Sequence, residues 1–202
     1  MVRVIIVNTG TKFSQWYTDN LIHMVKTYAN FDNPTFEVIT EEEYVGVFNK
    51  FQIFDKFRDG QNIFFDLDVV IKGDLNHLLR KDLHVCHAYW RKPFHTPICS
   101  DVISWEGDRS DISDLFKEDP EYYQLKYRCK YPDAPDGQAG MDEFLFKNFN
   151  YQYSTYGEDD RIVSYRYVPE EYVKYPIYLF NQRYQEMLDQ PHAWFHKFLL
   201  PS

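Results

Sequence analysis

The amino-acid sequence predicts an α/β chain with a mostly parallel central sheet flanked by helices. Three observations lead there. Residues 1–68 alternate strand, helix, strand, helix, strand, an order that implies parallel pairing with helices on the sheet faces. The leading strand is apolar almost throughout instead of alternating, as a strand covered on both sides is. And 202 residues with 44% hydrophobic content suffice for one large core and are short for two. Residues 1–202 therefore read as a single domain, either whole or one part of a longer protein.

Val2 to Asn8 is the first strand, and Thr9-Gly10-Thr11 turns the chain. Ser14 is placed to cap a helix in which Tyr17, Leu21, Met24, Val25 and Tyr28 recur at helical spacing. Asn33-Pro34 breaks it, and Phe36 to Thr40 is a second strand. The acidic stretch Glu41 to Glu43 leads to a helix carrying Lys50, Phe51, Ile53, Phe54 and Phe57. After a turn at Asp59-Gly60, Asn62 to Asp68 is a third strand. Further strands are expected at Leu83 to Tyr89, Val102 to Trp105, Arg161 to Val168 and Ile177 to Phe180, with helices over Gly140 to Phe149 and Gln182 to Leu199. Lys130 to Gly140, rich in Pro, Asp and Gly, reads as a mobile loop.

Composition narrows the function. Twenty-two Lys and Arg against 31 Asp and Glu give a net charge of −9, which speaks against nucleic-acid binding, since that rests on phosphate neutralisation. A phosphorylated ligand remains accessible through a bridging metal ion. The three cysteines, Cys86, Cys99 and Cys129, show no CxxC spacing and read as reduced thiols of a cytoplasmic protein (host cytoplasm for a viral one), with Cys86 in the core. The apolar run after Arg3 is too short for a signal peptide or a membrane span, so no transmembrane segment is expected. The sequence leaves the oligomeric state open.

The feature that carries chemistry is Asp66-Leu67-Asp68. Two carboxylates one residue apart at the end of the apolar run Ile63-Phe64-Phe65 repel each other and must be neutralised by a cation or by a proton. A hard divalent cation with oxygen ligands, Mn²⁺ or Mg²⁺, meets the need and keeps positions open for phosphate oxygens. The plain alternative is a solvated turn, but the second apolar run Val69-Val70-Ile71 speaks against a turn there. In parallel sheets ligands sit beyond the carboxyl ends of strands, where Asn8-Thr9 and Asp66 to Asp68 both fall.

The stretch from Phe48 to Leu79, FNKFQIFDKFRDGQNIFFDLDVVIKGDLNHLL, resembles the centre of the GT-A glycosyltransferases, in particular family 8 and its compact bacterial and viral relatives. Val4 to Leu21, Ser100 to Trp105, Met141 to Leu145 and Val163 to Arg166 resemble other segments of that family, in the same order. The resemblance implies a GT-A fold with a mixed, mostly parallel sheet, and a hexosyltransferase-type enzyme. It further implies a UDP-sugar donor, a hydroxyl acceptor on a glycan or glycoconjugate, and Mn²⁺ or Mg²⁺. It places Asp68 on the metal and Asp66 on the metal or the nucleotide ribose, Asn8 and Thr9 around uracil and ribose with Tyr17 nearby, and Lys50 at the donor phosphates. Ser100 and Asp101 would border the donor sugar, and Asp142 would face the sugar or the acceptor hydroxyl. Where the family carries a metal-binding His and then a Lys, this chain has Asn181 and Arg183. The Asn carbonyl is still a hard oxygen ligand, and Arg183 can replace the lysine charge.

In glycosyl transfer the metal stabilises the leaving diphosphate as a Lewis acid, aided by Lys50 and by Arg183 or Arg166. Asp142 is the candidate general base of an inverting reaction, an anchor for hydroxyls in a retaining one, or a helix N-terminal carboxylate facing the dipole. Two rivals stand. One is a phosphatase of the haloacid dehalogenase type, whose first motif is also an apolar strand ending in Asp-x-Asp. The other is a degenerate, non-catalytic nucleotide- or sugar-binding domain, suggested by Asn181. His192 and His196, four apart, lack the Glu of a metalloprotease helix, His84 and His87 fit no common metal spacing, and Glu158-Asp159-Asp160 reads as a solvated turn.

Overall fold

A computed structural model describes residues 1–91, 95–128, 140–164, 175–180 and 194–201. Its centre is a six-stranded sheet in the order β2-β1-β3-β6-β5-β7, formed by β1 (Val2–Val7), β2 (Thr35–Ile39), β3 (Gln61–Phe65), β5 (His84–His87), β6 (Ile98–Glu106) and β7 (Ser154–Tyr156). β1 pairs in parallel with β2 and β3, and β5 with β7; β6 runs antiparallel between β3 and β5. The sheet is thus mixed and mostly parallel, as expected. A second sheet, β4-β9-β8, is built from β4 (Val69–Ile71), β8 (Ile162–Ser164) and β9 (Ile177–Leu179).

The apolar character of the central strands follows from burial on both faces. Along β1, Val4 and Ile6 join one core cluster with Leu21 and Met24 of α1 (Gln15–Tyr28), whereas Ile5 joins the other. Along β3, Ile63 and Phe65 face the first cluster and Phe64 the second. The first face carries α1 and the small sheet. The second carries a 3-10 helix (Gly46–Phe51) that runs into α2 (Gln52–Lys56), then α3 (Ser110–Glu118) and α5 (Gly140–Asn148). Its rings are closely packed: Phe51 stacks on Phe116 at 4.0 Å and meets Phe144 edge-on at 4.7 Å.

Several elements differ from the sequence reading. Residues 106–128, assigned no element there, hold α3 and α4 (Pro120–Lys126). The expected helix around Lys50 is realised as a 3-10 turn before a short α-helix. Ser14 stands at the N-cap of α1, but its hydroxyl makes no capping bond; its backbone carbonyl accepts from Tyr17 N at 3.1 Å. Glu158–Asp160 is a turn, yet Asp160 is not merely solvated, since Arg80 donates to it at 2.8 Å and Gly157 N at 2.7 Å. Of the helix expected over Gln182 to Leu199, the described end is one 3-10 turn, His196–Phe198. The loop expected at Lys130 to Gly140 and the strand end beyond Ser164 lie almost wholly outside the described residues, as does His192. Cys86 and Cys99 are free and buried in the core, and burial pushes both thiols well above the ordinary thiol range. No described helix is long and apolar enough to cross a membrane.

Candidate active site

Asp66, Leu67 and Asp68 form the passage from β3 of the large sheet to β4 of the small one. The backbone fixes it at both ends: Asp66 N donates to Asp101 O at 2.9 Å, and Phe180 N donates to Asp68 O at 2.9 Å. Leu67 is buried between the two carboxylates and serves as the anchor of the passage. Asp68 is itself buried, only 5% exposed. The pair therefore lies on a rigid link between sheets, at the carboxyl end of β3.

Lys50 comes to this rim from the segment before β3, and Asn49 explains how. Buried Asn49 accepts from Glu43 N and Tyr44 N at 2.9 and 3.0 Å and donates to Tyr44 O and Gly46 O at 2.6 and 3.0 Å. A single amide thus gathers the loop into the turn that presents the next residue. Lys50 Nζ then donates to Asp66 Oδ2 at 2.6 Å and to Ser100 Oγ at 3.3 Å. The counter-charge demanded by the carboxylate pair is supplied in part by this lysine.

β6 begins before the stretch expected as a strand, so Ser100 and Asp101 lie within it, beside β3. Both are buried. Burial, and then the neighbouring Asp66, push the Asp101 carboxyl well above the usual carboxylate range; Lys50 opposes this, while Asp68 and Asp142 add to it. Burial works against the Lys50 ammonium, but Asp66, with Asp101 and Asp142 behind it, holds its pKa above the ordinary lysine range.

Asp142 enters from the first turn of α5. That helix starts close against the Lys50 turn: a Cβ on Gly140 would come within 2.7 Å of Val47 Cγ2. Both oxygens of Asp142 are engaged. Oδ1 accepts from Ser100 N at 2.8 Å, and Oδ2 from Arg91 at 2.8 Å. Arg91 is a residue that the sequence reading missed, because it lies in the β5–β6 hairpin with no motif around it and meets a partner 51 positions away. Asn49 was missed for a related reason: apart from a bond accepted from Gln52 Nε2 at 3.0 Å, its partners are backbone groups that no spacing announces.

Lys50, Asp66, Ser100 and Asp142 are joined directly, with Asp68 and Asp101 in electrostatic range. Asn8 and Thr9 follow the end of β1, and Tyr17 lies in the first turn of α1. Asn8 donates through Nδ2 to Thr18 Oγ1 at 2.9 Å, leaving its Oδ1 buried with no hydrogen-bond partner among the described residues. Thr9 is half-buried, and Tyr17 is buried with its ring edge-on to Phe13 and Trp16, each at 5.0 Å. Asn181, Arg183 and Arg166 lie outside the described residues. Among the described residues no three His, Cys, Asp or Glu side chains converge as a ready-made metal centre.

No protein-family model matches the chain, and no curated protein matches it. Solved structures do. The glycosyltransferase GlyE of Streptococcus pneumoniae TIGR4 aligns with a TM-score of 0.65 at 12% identity, over 96% of this chain and 57% of its own. The present chain thus spans little more than half of that protein. A glycosyltransferase involved in glycosylation of the major capsid of PBCV-1 aligns with a TM-score of 0.60 at 12% identity, over 91% and 96% of the two chains. The galactosyltransferase LgtC, in complex with donor and acceptor sugar analogues, aligns with a TM-score of 0.66 at 10% identity, over 99% and 97%. These likenesses, with the sheet order, give the chain a GT-A-like glycosyltransferase fold.

Proposed function

We propose that this chain is a metal-dependent glycosyltransferase that moves a sugar from a UDP-sugar to a hydroxyl of a glycan or glycoconjugate. The observation that carries this reading is the cluster of Lys50, Asp66, Ser100 and Asp142, drawn from four separate segments to the strand-end rim of a GT-A-like fold. Ligands of open α/β sheets bind at such a rim.

The donor set fits a hard divalent cation: Asp66 and Asp68 offer carboxylate oxygens, and the bond from Lys50 occupies only Oδ2 of Asp66. In this reading Asp66 and Asp68 hold Mn²⁺ or Mg²⁺, with Asn181 as a further oxygen ligand. The ion, when bound, supplies Lewis-acid stabilisation of the leaving diphosphate. Lys50 adds a positive charge beside the same phosphates, assisted by Arg183. Asn8, Thr9 and Tyr17 take the uridine, and Ser100 and Asp101 border the sugar. Asp142, with one oxygen on Ser100 N–H and the other on Arg91, acts as a fixed anchor for a sugar or acceptor hydroxyl rather than as a base. Being held in place is what an anchor needs.

The test is a screen of UDP-, GDP- and dTDP-sugars with Mn²⁺, read by released nucleotide. Release is expected from a UDP-sugar, with Asp68→Ala at least about a hundredfold slower. Silence across all donors, or equal rates in wild type and Asp68→Ala, would overturn the reading. Stabilisation by UDP with Mn²⁺ but no turnover would leave a nucleotide-binding domain; stabilisation by beryllium fluoride and not by UDP would favour the phosphatase.

A further inference from the structure

Arg91 is an unusual residue for a surface hairpin. Its side chain is 9% exposed and that of its partner Asp142 is 5% exposed. One guanidinium nitrogen donates to the backbone carbonyls of Thr96 and Ile98 at 3.2 and 2.5 Å, and another to Asp142 Oδ2 at 2.8 Å. The hairpin's own backbone thus sets the fork, and the fork sets Asp142. Ser100 continues the line: its N–H donates to Asp142 and its Oγ accepts from Lys50, whose Nζ is on Asp66. Arg91, Asp142, Ser100, Lys50 and Asp66 form one connected chain across the rim, two ion pairs bridged by the neutral Ser100.

In that chain Lys50 faces three carboxylates. It bonds Asp66 directly, Asp101 lies in electrostatic range beside that bond, and a single residue separates it from Asp142. A buried carboxylate that loses its cation carries a large desolvation penalty and recruits any cation in reach. We propose that Arg91 is a positioning residue for the donor diphosphate: by neutralising Asp142 it leaves Lys50 committed to the Asp66 side of the rim. This rests on the donor reading above; the guanidinium is engaged by Asp142 and by the carbonyls of Thr96 and Ile98, so Arg91 acts through Asp142 and Lys50.

Phosphate recognition through Lys50 is thereby separable from nucleoside recognition, which in the proposed function falls to Asn8, Thr9 and Tyr17. The experiment titrates UDP with Mn²⁺, and uridine, into wild type, Arg91→Gln, Arg91→Lys and the double variant Arg91→Gln/Asp142→Asn. Arg91→Gln should bind UDP about tenfold more weakly and uridine within about twofold of wild type. Arg91→Lys, which keeps the charge, and the double variant, which removes the stranded carboxylate, should each bind UDP within about threefold of wild type. A general loss of structure would lower UDP and uridine together, and that outcome would overturn the proposal. So would Arg91→Gln binding UDP as wild type does, or a double variant as weak as the single one. Should Arg91→Gln not fold, Arg91→Lys and the double variant decide on the same criteria. Failure of wild type to bind UDP would instead overturn the proposed function itself, and this inference with it.

Discussion

The two rims of the large sheet use the same residue types in opposite settings. At the rim where β1 and β3 begin, Arg3 pairs with Asp59 at 3.0 Å, with side-chain exposures of 25% and 85%. Nearby, where β6 ends, Arg109 pairs with Asp111 at 3.0 Å, with exposures of 18% and 46%, beside an open depression of about 490 Å³. At the rim where β3 ends, Lys50 and Asp66 are 2.6 Å apart with exposures of 13% and 22%, and Arg91 and Asp142 are 2.8 Å apart with exposures of 9% and 5%. The pairs of the first rim are solvated and add little to stability. Those of the second have given up much of their hydration, which ion pairing repays only with good geometry and further hydrogen bonds. A depression at the first rim does not mark the site; charges held out of water at the second do.

This contrast can be broken with one substitution made at each rim. Asp142→Ala leaves Arg91 buried without its carboxylate and removes the acceptor of Ser100 N–H. It should cost about 3–5 kcal/mol, measured by urea unfolding. Asp59→Ala removes a side chain that meets only the exposed face of Arg3, while the backbone carbonyl that Arg3 also uses stays in place. It should cost less than about 1 kcal/mol, and less still in high salt. Equal costs at the two rims would mean that burial does not distinguish them. For the apolar interior, Cys86 and Cys99 supply a further check. Burial raises both thiols, so less thiolate forms at a given pH, and neither should be labelled by a disulfide reagent at pH 8 (read peptide by peptide) until the chain is unfolded.

Much of this contrast was legible in the sequence, and what was not has physical causes. β1 and β3 announced themselves because strands buried on both faces carry apolar residues at successive positions, as in Val4-Ile5-Ile6 and Ile63-Phe64-Phe65. The carboxylate pair stood out because two charges directly after such a strand break that rule. The antiparallel course of β6 had no such mark: Ile98 to Glu106 is equally buried whichever way it runs. α4 escaped because none of its residues is fully buried and it packs on the core through Tyr123 alone, whereas α3 carried a usable signal in Ile112 and Phe116, four apart and both buried. Arg91 and Asn49 escaped because their partners are set by the tertiary fold and, for Asn49, by backbone groups. Local spacing identifies which residues can do chemistry; the fold decides which cations and amides hold them.

Ser14 provides the smallest test, and it separates membership of a rim from participation in it. It precedes α1 on the side where β1 ends, and its residue type and position predict a capping hydroxyl worth about 1 kcal/mol. Its backbone has the extended geometry of an N-cap, φ −68° and ψ 164°, and its carbonyl accepts from Tyr17 N. But the hydroxyl makes no capping bond, and the residue is exposed. Water can therefore serve the free N–H groups of the first turn, and Ser14→Ala should shift stability by no more than about 0.3 kcal/mol. A loss near 1 kcal/mol in urea unfolding would mean that the cap forms in solution, and that part of this rim's order comes from local helix chemistry instead of from the buried charges that cross it.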